Sequence, residues 1–172
     1  MSYILTIEEL GKVDASLCVL YSVSLSLFLG GILKYGTEEQ KKFFIGGVAD
    51  GSITGCFALT EKNAGSDASG VQTVAVRDGD NYIINGSKRF ITNGKTADYA
   101  MIVAKTDVDA PGTKGLTSFM VPTNTPGYEV VGLEDKMGLR SAEVAELKFT
   151  DMVVPVSARL GEEGDGFKLA ME

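Results

Sequence analysis

Between Ile53 and Pro155, turn residues recur so often that no long helix fits, and this stretch has to be built from short strands. Val71 to Arg77 and Tyr82 to Ile84 flank Asp78-Gly79, and Tyr82 to Ile84 and Arg89 to Thr92 flank Asn85-Gly86-Ser87. Both dipeptide patterns are hairpin signals. Tyr99 to Lys105 is a continuous apolar run, as a strand buried on both faces would be. Leu116 to Val121, Tyr128 to Val131 and Ala145 to Phe149 complete the set. The spacing predicts a small antiparallel β-barrel or two-sheet sandwich.

What precedes it reads as helix. Thr6 with Glu9 three residues on resembles a capping box, so a helix is expected to start near Ile7, with Gly11 and Asp14 breaking or restarting it. Ala15 to Leu33 carries no charge and is long enough to span a bilayer, but Ser16, Ser22, Ser24, Ser26, Gly30 and Gly31 interrupt it. It reads as a buried bundle helix. Apolar residues alternate with serine between Ser22 and Leu27, a local strand pattern that the length of the run overrides. Gly30-Gly31 is expected to weaken or bend the helix, and Tyr35-Gly36 to end it. Thr37-Glu38-Glu39-Gln40 is a second capping box, opening a helix to about Val48. At the other end Gly166-Phe167 begins a new helix. The class is therefore α+β: a partial helical domain over 1–50, a β-domain over 51–160 and the start of a further helical domain over 161–172.

Charge and cysteine content narrow the function. A net charge of -7 and no basic stripe argue against a nucleic-acid partner. The absence of histidine removes the commonest general base and metal ligand, and no cluster of Cys and carboxylates has metal-site spacing. Cys18 and Cys56 are too few for a disulfide framework and fit a reducing compartment. Glu8 and Glu9 stand where a signal peptide would be basic.

Chemistry concentrates in Ala58 to Gly70, ALTEKNAGSDASG, at the end of the strand Ile53-Thr54-Gly55-Cys56-Phe57. Thr60 offers a hydroxyl, and Ala64-Gly65-Ser66 offers successive backbone N–H groups that can form an anion-binding concavity. An ordinary strand-to-loop turn, with Asn and Asp as turn formers, explains the same residues. Phe57 and Phe90 can be core residues, and Thr60 and Thr92 plain β-formers. Arg140 reads equally as a phosphate clamp or as a solvated or subunit-contact arginine.

The whole string is more specific than its parts. Ala58-Leu59-Thr60-Glu61, two residues, Ala64-Gly65-Ser66-Asp67, two residues and Gly70 resembles the signature of the acyl-CoA dehydrogenase family. Three further segments follow in that family's order: Lys88 to Gly94, Lys136 to Ser141 and Leu160 to Phe167. The resemblance runs from about Glu8 to the end and corresponds to the middle of a family member.

The resemblance implies an FAD enzyme that oxidises an acyl-CoA thioester to the trans-2-enoyl-CoA, as in fatty acid β-oxidation, with hydride passing from Cβ to flavin N5. It implies electron transfer to an electron-transfer flavoprotein, a tetramer, and a cytoplasmic location, or the mitochondrial matrix in a eukaryote. By the same resemblance the Leu59 amide and Thr60 hydroxyl bond the pyrimidine end of the flavin, and Phe57 lies beside the ring. Ser66, with the Ala64 and Gly65 backbone, holds pyrophosphate, and Ser66 also meets the acyl-CoA. Phe90, Ile91 and Thr92 form the second wall, the Thr92 hydroxyl near N5. Glu61 reads as structural, because the family's base is a Glu in C-terminal helices that this chain lacks. The chain is thus expected to be a truncated piece that cannot turn over alone and retains FAD weakly. Lys62-Asn63 stands where the family usually has proline, which is expected to loosen the turn. Two other classes compete: a non-catalytic β-barrel binding or assembly module, and an oxidase or hydroxylase on the same flavin scaffold.

Overall fold

The computed structural model describes residues 2–171. Helices α1 (Ser2–Gly11) and α2 (Ala15–Ser22) come first. Asp14 breaks and restarts the chain between them, its carboxylate accepting from the Ser16 N–H at 2.8 Å. Thr6 caps nothing: it lies inside α1 and donates back to the Ser2 carbonyl at 3.0 Å. Helix α2 runs without a break through a π-helical segment, Val23–Phe28, into α3 (Leu29–Tyr35). The alternating serines are thus neither strand nor regular α-helix, and Ser26 donates to the Ser22 carbonyl at 2.7 Å. The whole of Ala15–Tyr35 is long and apolar enough to cross a membrane. Its Phe28 and Ile32 are fully buried against the β-domain, as a bundle helix requires. Gly30-Gly31 does not end the helix. Gly31 is the close approach, since a Cβ there would meet Leu169 and Met101.

The capping box at Thr37 forms as read. Gln40 N–H donates to the Thr37 hydroxyl at 3.2 Å, and Thr37 N–H to the Gln40 side chain at 3.0 Å. It opens α4 (Glu38–Asp50), which ends on Gly51 in the left-handed region.

Eight strands follow among the described residues: β1 (Gly55–Ala58), β2 (Val74–Asp78), β3 (Asn81–Thr92), β4 (Tyr99–Lys105), β5 (Leu116–Pro122), β6 (Tyr128–Leu133), β7 (Val144–Pro155) and β8 (Arg159–Leu160). Their order is β6-β7-β3-β2-β4-β5-β8, with β1 alongside β4. The sheet is open, and it is mixed: β1 and β2 both run parallel to β4. The barrel is therefore not closed, although the sheet curls. Tyr82 of β3 and Phe119 of β5 are not on neighbouring strands, yet their rings meet at 4.9 Å. The inner face is one core that includes Cys56, Ile84, Ile91, Ile102, Leu147 and Met152. The outer face of β1, β4 and β5 carries Phe57, Met101 and Met120 against the π segment, α3 and α5 (Gly166–Met171). That is why β4 is apolar on both faces.

The Asp78-Gly79 hairpin forms, with Asp78 opposite Asn81. The Asn85-Gly86 hairpin does not. β3 runs straight through it, paired with β7, and a register shift falls between Ile84 and Gly86. Asn85 and Asp151 bond each other instead, at 2.8 and 3.1 Å. Gly86 is needed for closeness: a Cβ would lie 2.7 Å from the Thr73 Cα.

Candidate functional site

The chain leaves β1 at Ala58 and immediately meets the end of β3. Arg89 N–H donates to the Thr60 carbonyl at 2.8 Å. β1 is parallel to β4, and so is β2, which is antiparallel to β3; hence β1 and β3 run in opposite directions. From the Arg89–Thr60 bond the chain runs back to Phe57 on one side and on through the end of β3 to Thr92 on the other.

β3 does not present Phe90 by ordinary alternation. Between the pairs Lys88–Leu147 and Ile91–Ala145, two residues of β3, Arg89 and Phe90, oppose one of β7, Glu146, so β3 carries a bulge. Phe90 takes φ +59, a left-handed conformation rare for an aromatic residue. Its ring is 57% exposed, with the Arg89 guanidinium 4.9 Å from its centroid. A core role for Phe90 is excluded. Phe57 is half-buried and packs against both helix-facing clusters. Ile91 is different: its side chain belongs to the inner core, and only its backbone is left to line a wall. The Thr60 and Thr92 hydroxyls have no hydrogen-bond partner among the described residues, and both residues are half-buried.

Beneath the Leu59–Thr60 turn lies a charged pair. Lys88 is 1% exposed and Glu61 8%. The Lys88 ammonium donates to the Glu61 carboxylate and to the Leu59 carbonyl, both at 2.9 Å. Glu61 also accepts from the Gln72 N–H at 2.7 Å and the Thr73 N–H at 3.0 Å. Burial pushes the Glu61 carboxyl up. Lys88 and the bonds from Lys88, Thr73 and Gln72 outweigh it and hold the group below the usual range. Burial pulls the Lys88 ammonium down to about 8 against the attraction of Glu61.

The loop beyond is tighter than the missing proline suggests. Glu61 and Ala64 exchange two backbone bonds, at 3.0 and 3.1 Å, with Lys62-Asn63 at the exposed tip. This uses the Ala64 N–H inside the turn, while Gly65 and Ser66 are exposed. Asp67 turns its carboxylate onto Ser69, at 2.9 Å to the N–H and 2.5 Å to the hydroxyl. In the Lys136–Ser141 segment, Lys136 clips the Leu139 and Ala142 carbonyls. Arg140 is exposed and pairs with Asp135 at 3.1 Å.

Sequence reasoning gave Lys88 no role. Its signal was phase: Lys88 falls on the inward face of β3 with Tyr82 and Ile84. A lysine on that face must have a buried partner, but nothing local says that the partner is Glu61, 27 residues back.

Two strand ends pinned together, with unpartnered hydroxyls and an aromatic ring turned outward, stand at the edge of a curled β-domain. Residues 56–152 match the acyl-CoA dehydrogenase middle domain, and residues 1–52 match the N-terminal domain. The chain belongs to the acyl-CoA dehydrogenase family. It is 46% identical to the short-chain specific acyl-CoA dehydrogenase of Megasphaera elsdenii, over 99% of this chain and 45% of the relative. It is 42% identical to the short-chain specific mitochondrial acyl-CoA dehydrogenase of Homo sapiens, over 100% of this chain and 42% of that protein. The three-dimensional structure of the butyryl-CoA dehydrogenase of Megasphaera elsdenii superposes with a TM-score of 0.95 at 47% identity, over 99% of this chain and 44% of that one. A solved structure of the electron transferring flavoprotein of Acidaminococcus fermentans also gives 0.95, at 48% identity over the same shares. The chain thus spans less than half the length of the relatives it matches.

Proposed function

We propose that this chain supplies the flavin-facing and thioester-facing walls of an acyl-CoA dehydrogenase that acts on short acyl chains, making the trans-2-enoyl-CoA. The observation that carries the reading is the bond from Arg89 N–H to the Thr60 carbonyl, which brings two donor-bearing strand ends to one open face. The donor set fits FAD: free hydroxyls at Thr60 and Thr92, an outward ring at Phe90, and the exposed Gly65-Ser66 turn for an anionic linker. When bound, FAD accepts the hydride that leaves the substrate's Cβ.

The chain's own residues bind and orient. Thr60 and Thr92 donate to ring heteroatoms, and Phe57 and the Leu59 backbone close the side against the helices. Glu61 does not abstract the α-proton, because its carboxylate is already shared by Lys88, Gln72 and Thr73. The family resemblance implies a different carboxylate as the base. The similarity to short-chain specific enzymes supports a short acyl substrate, and that to an electron transferring flavoprotein structure supports such a partner. A homotetramer in the cytoplasm, or in the mitochondrial matrix of a eukaryote, completes the reading.

Titration of the chain with FAD, followed by quenching of flavin fluorescence, tests it. Thr60→Ala and Thr92→Ala are each expected to weaken binding about tenfold, the loss of one well-placed hydrogen bond. Val131→Ala on exposed β6 is expected to change nothing. Absence of quenching, or equal affinities in all four proteins, would refute the reading.

A further inference from the structure

We infer that Lys88 is the positioning residue of the flavin wall: its buried ammonium holds the Leu59 carbonyl and the Glu61 carboxylate, and so fixes the peptide that presents Thr60. This rests on the flavin reading above. Three observations carry it. The ammonium is enclosed, at 1% exposure, with its two acceptors one on either side of Thr60 in the chain. The Leu59–Thr60 peptide is trans, so drawing the Leu59 carbonyl towards Lys88 turns the Thr60 N–H the opposite way. The next carbonyl, that of Thr60, is taken by Arg89, the neighbour of Lys88.

One β3 dipeptide, Lys88-Arg89, therefore accounts for two successive carbonyls of the facing segment. What that segment has left to offer a ligand is donors: the Thr60 N–H and the Thr60 hydroxyl. A ring edge bearing carbonyl oxygens and ring nitrogens needs donors there. A lysine side chain can supply this from behind the wall because it reaches a carbonyl and a carboxylate together. An apolar side chain at position 88 would fill the space and leave the Leu59 peptide free to rotate. The bulge immediately after Lys88 then turns Phe90 out beside the same face. Lys88 and Glu61 touch no ligand in this scheme; they act through Thr60.

The experiment compares the wild-type chain with Lys88→Met and with Lys88→Met/Glu61→Gln. The double variant leaves no uncompensated buried charge, and the glutamine oxygen keeps an acceptor for one of the Gln72 and Thr73 N–H groups, so it carries the test where the single variant does not fold. Hydrogen exchange of the Arg89 amide, read without FAD, is expected to accelerate about tenfold relative to core amides of β4. FAD titration is expected to show a dissociation constant raised about tenfold, and a bound-flavin visible spectrum closer to that of free FAD. Adding Thr60→Ala to the double variant is expected to cost nothing further, since Thr60 is already misplaced. An unchanged Arg89 exchange rate overturns the proposal. So does a Thr60→Ala penalty that is the same with and without Lys88. If Arg89 responds but the wild type binds no FAD, the flavin reading falls and the positioning role falls with it, a pattern distinct from FAD binding that ignores Lys88.

Discussion

Gly55→Ala tests how the helical layer sets the candidate wall. Gly55 opens β1, two residues before Phe57, and lies directly under the Phe28 ring of the π segment. A Cβ at Gly55 would stand 2.2 Å from Phe28 Cγ and 2.4 Å from each Cδ. Carbon atoms in contact prefer about 3.5–4.0 Å, so the ring has to retreat by more than ~1 Å. It cannot swing aside freely, being fully buried and edge-on to Phe44 at 5.8 Å. Overpacking of this kind costs about 1–3 kcal/mol, against a gain of about 0.4–1 kcal/mol from a stiffer unfolded chain. The net expectation is a loss of about 1–2 kcal/mol. Phe28→Leu alone also destabilises, but it removes the ring that clashes, so the double variant should be more stable than the sum of the two by about 1–2 kcal/mol. Urea unfolding of the four proteins at constant slope measures this. Strict additivity, or a neutral Gly55→Ala, would show that the ring does not set the helix-to-strand distance.

The buried pair should respond asymmetrically. Lys88→Met leaves Glu61 with its two N–H donors, whereas Glu61→Met strips partners from Gln72, Thr73 and Lys88, so Glu61→Met should cost more by about 1–3 kcal/mol in urea unfolding. Equal costs would refute the hydrogen-bond accounting. The Glu61 carboxyl is held below its ordinary value of 4.5, so its contribution is present above that pH and is lost as pH falls through the lower folded value. Glu61→Gln should therefore flatten the acid limb of the stability curve below about pH 4.5; an unaltered limb counts against the shift. Lys88 acts in a higher window: between about 8 and its ordinary value of 10.5 the unfolded chain holds the proton more tightly, so this group too makes stability rise with pH. Denaturation of Lys88→Met across that window should show the slope gone. Phe90→Gly should relieve about 1–2 kcal/mol of left-handed strain and lose little burial, leaving the chain as stable or more so while FAD binding weakens. Marked destabilisation would mean that the ring is held by packing.

Local chemistry was legible wherever it decided the outcome. The Thr37–Gln40 box and the Asp78-Gly79 turn each fix a handful of torsions, and no distant contact opposes them. The double burial of β4 was legible for a related reason: from Ala100 to Ala104 the run has no polar residue and so no solvent face to give. The misses share one cause. Asn85-Gly86 has hairpin chemistry, yet extending β3 along β7 over twelve residues makes more ladder bonds than turning back would. Thr6 and Glu9 have cap spacing, but helix α1 begins four residues before Thr6. The serine alternation at Ser22–Ser26 describes neither period, because a π segment of six residues turns its side chains by another angle. The inner place of Ile91 depends on the bulge before it, and a bulge shifts the phase that the alternation is read from.

Four departures from local rule cluster, although others fall elsewhere: Asp151 on β7 also takes a left-handed φ, and register shifts lie at Ile84/Gly86 and Val130/Gly132. A π segment inside a helix, an aromatic residue at left-handed φ, a strand bulge and a lysine sealed in a β-domain all lie on β1, the end of β3 or the helix packed against them. Each costs stability by itself: strain at Phe90, desolvation at Lys88, interrupted ladder bonds at the bulge. Elsewhere β4 and β5 pair residue for residue with no register shift. A chain that needed only to fold could drop such features by one or two substitutions, such as Gly for Phe90 or a methionine paired with a glutamine for Lys88 and Glu61. Their meeting around the β1–β3 junction, beside the unpartnered hydroxyls, puts much of the cost where a ligand would be oriented.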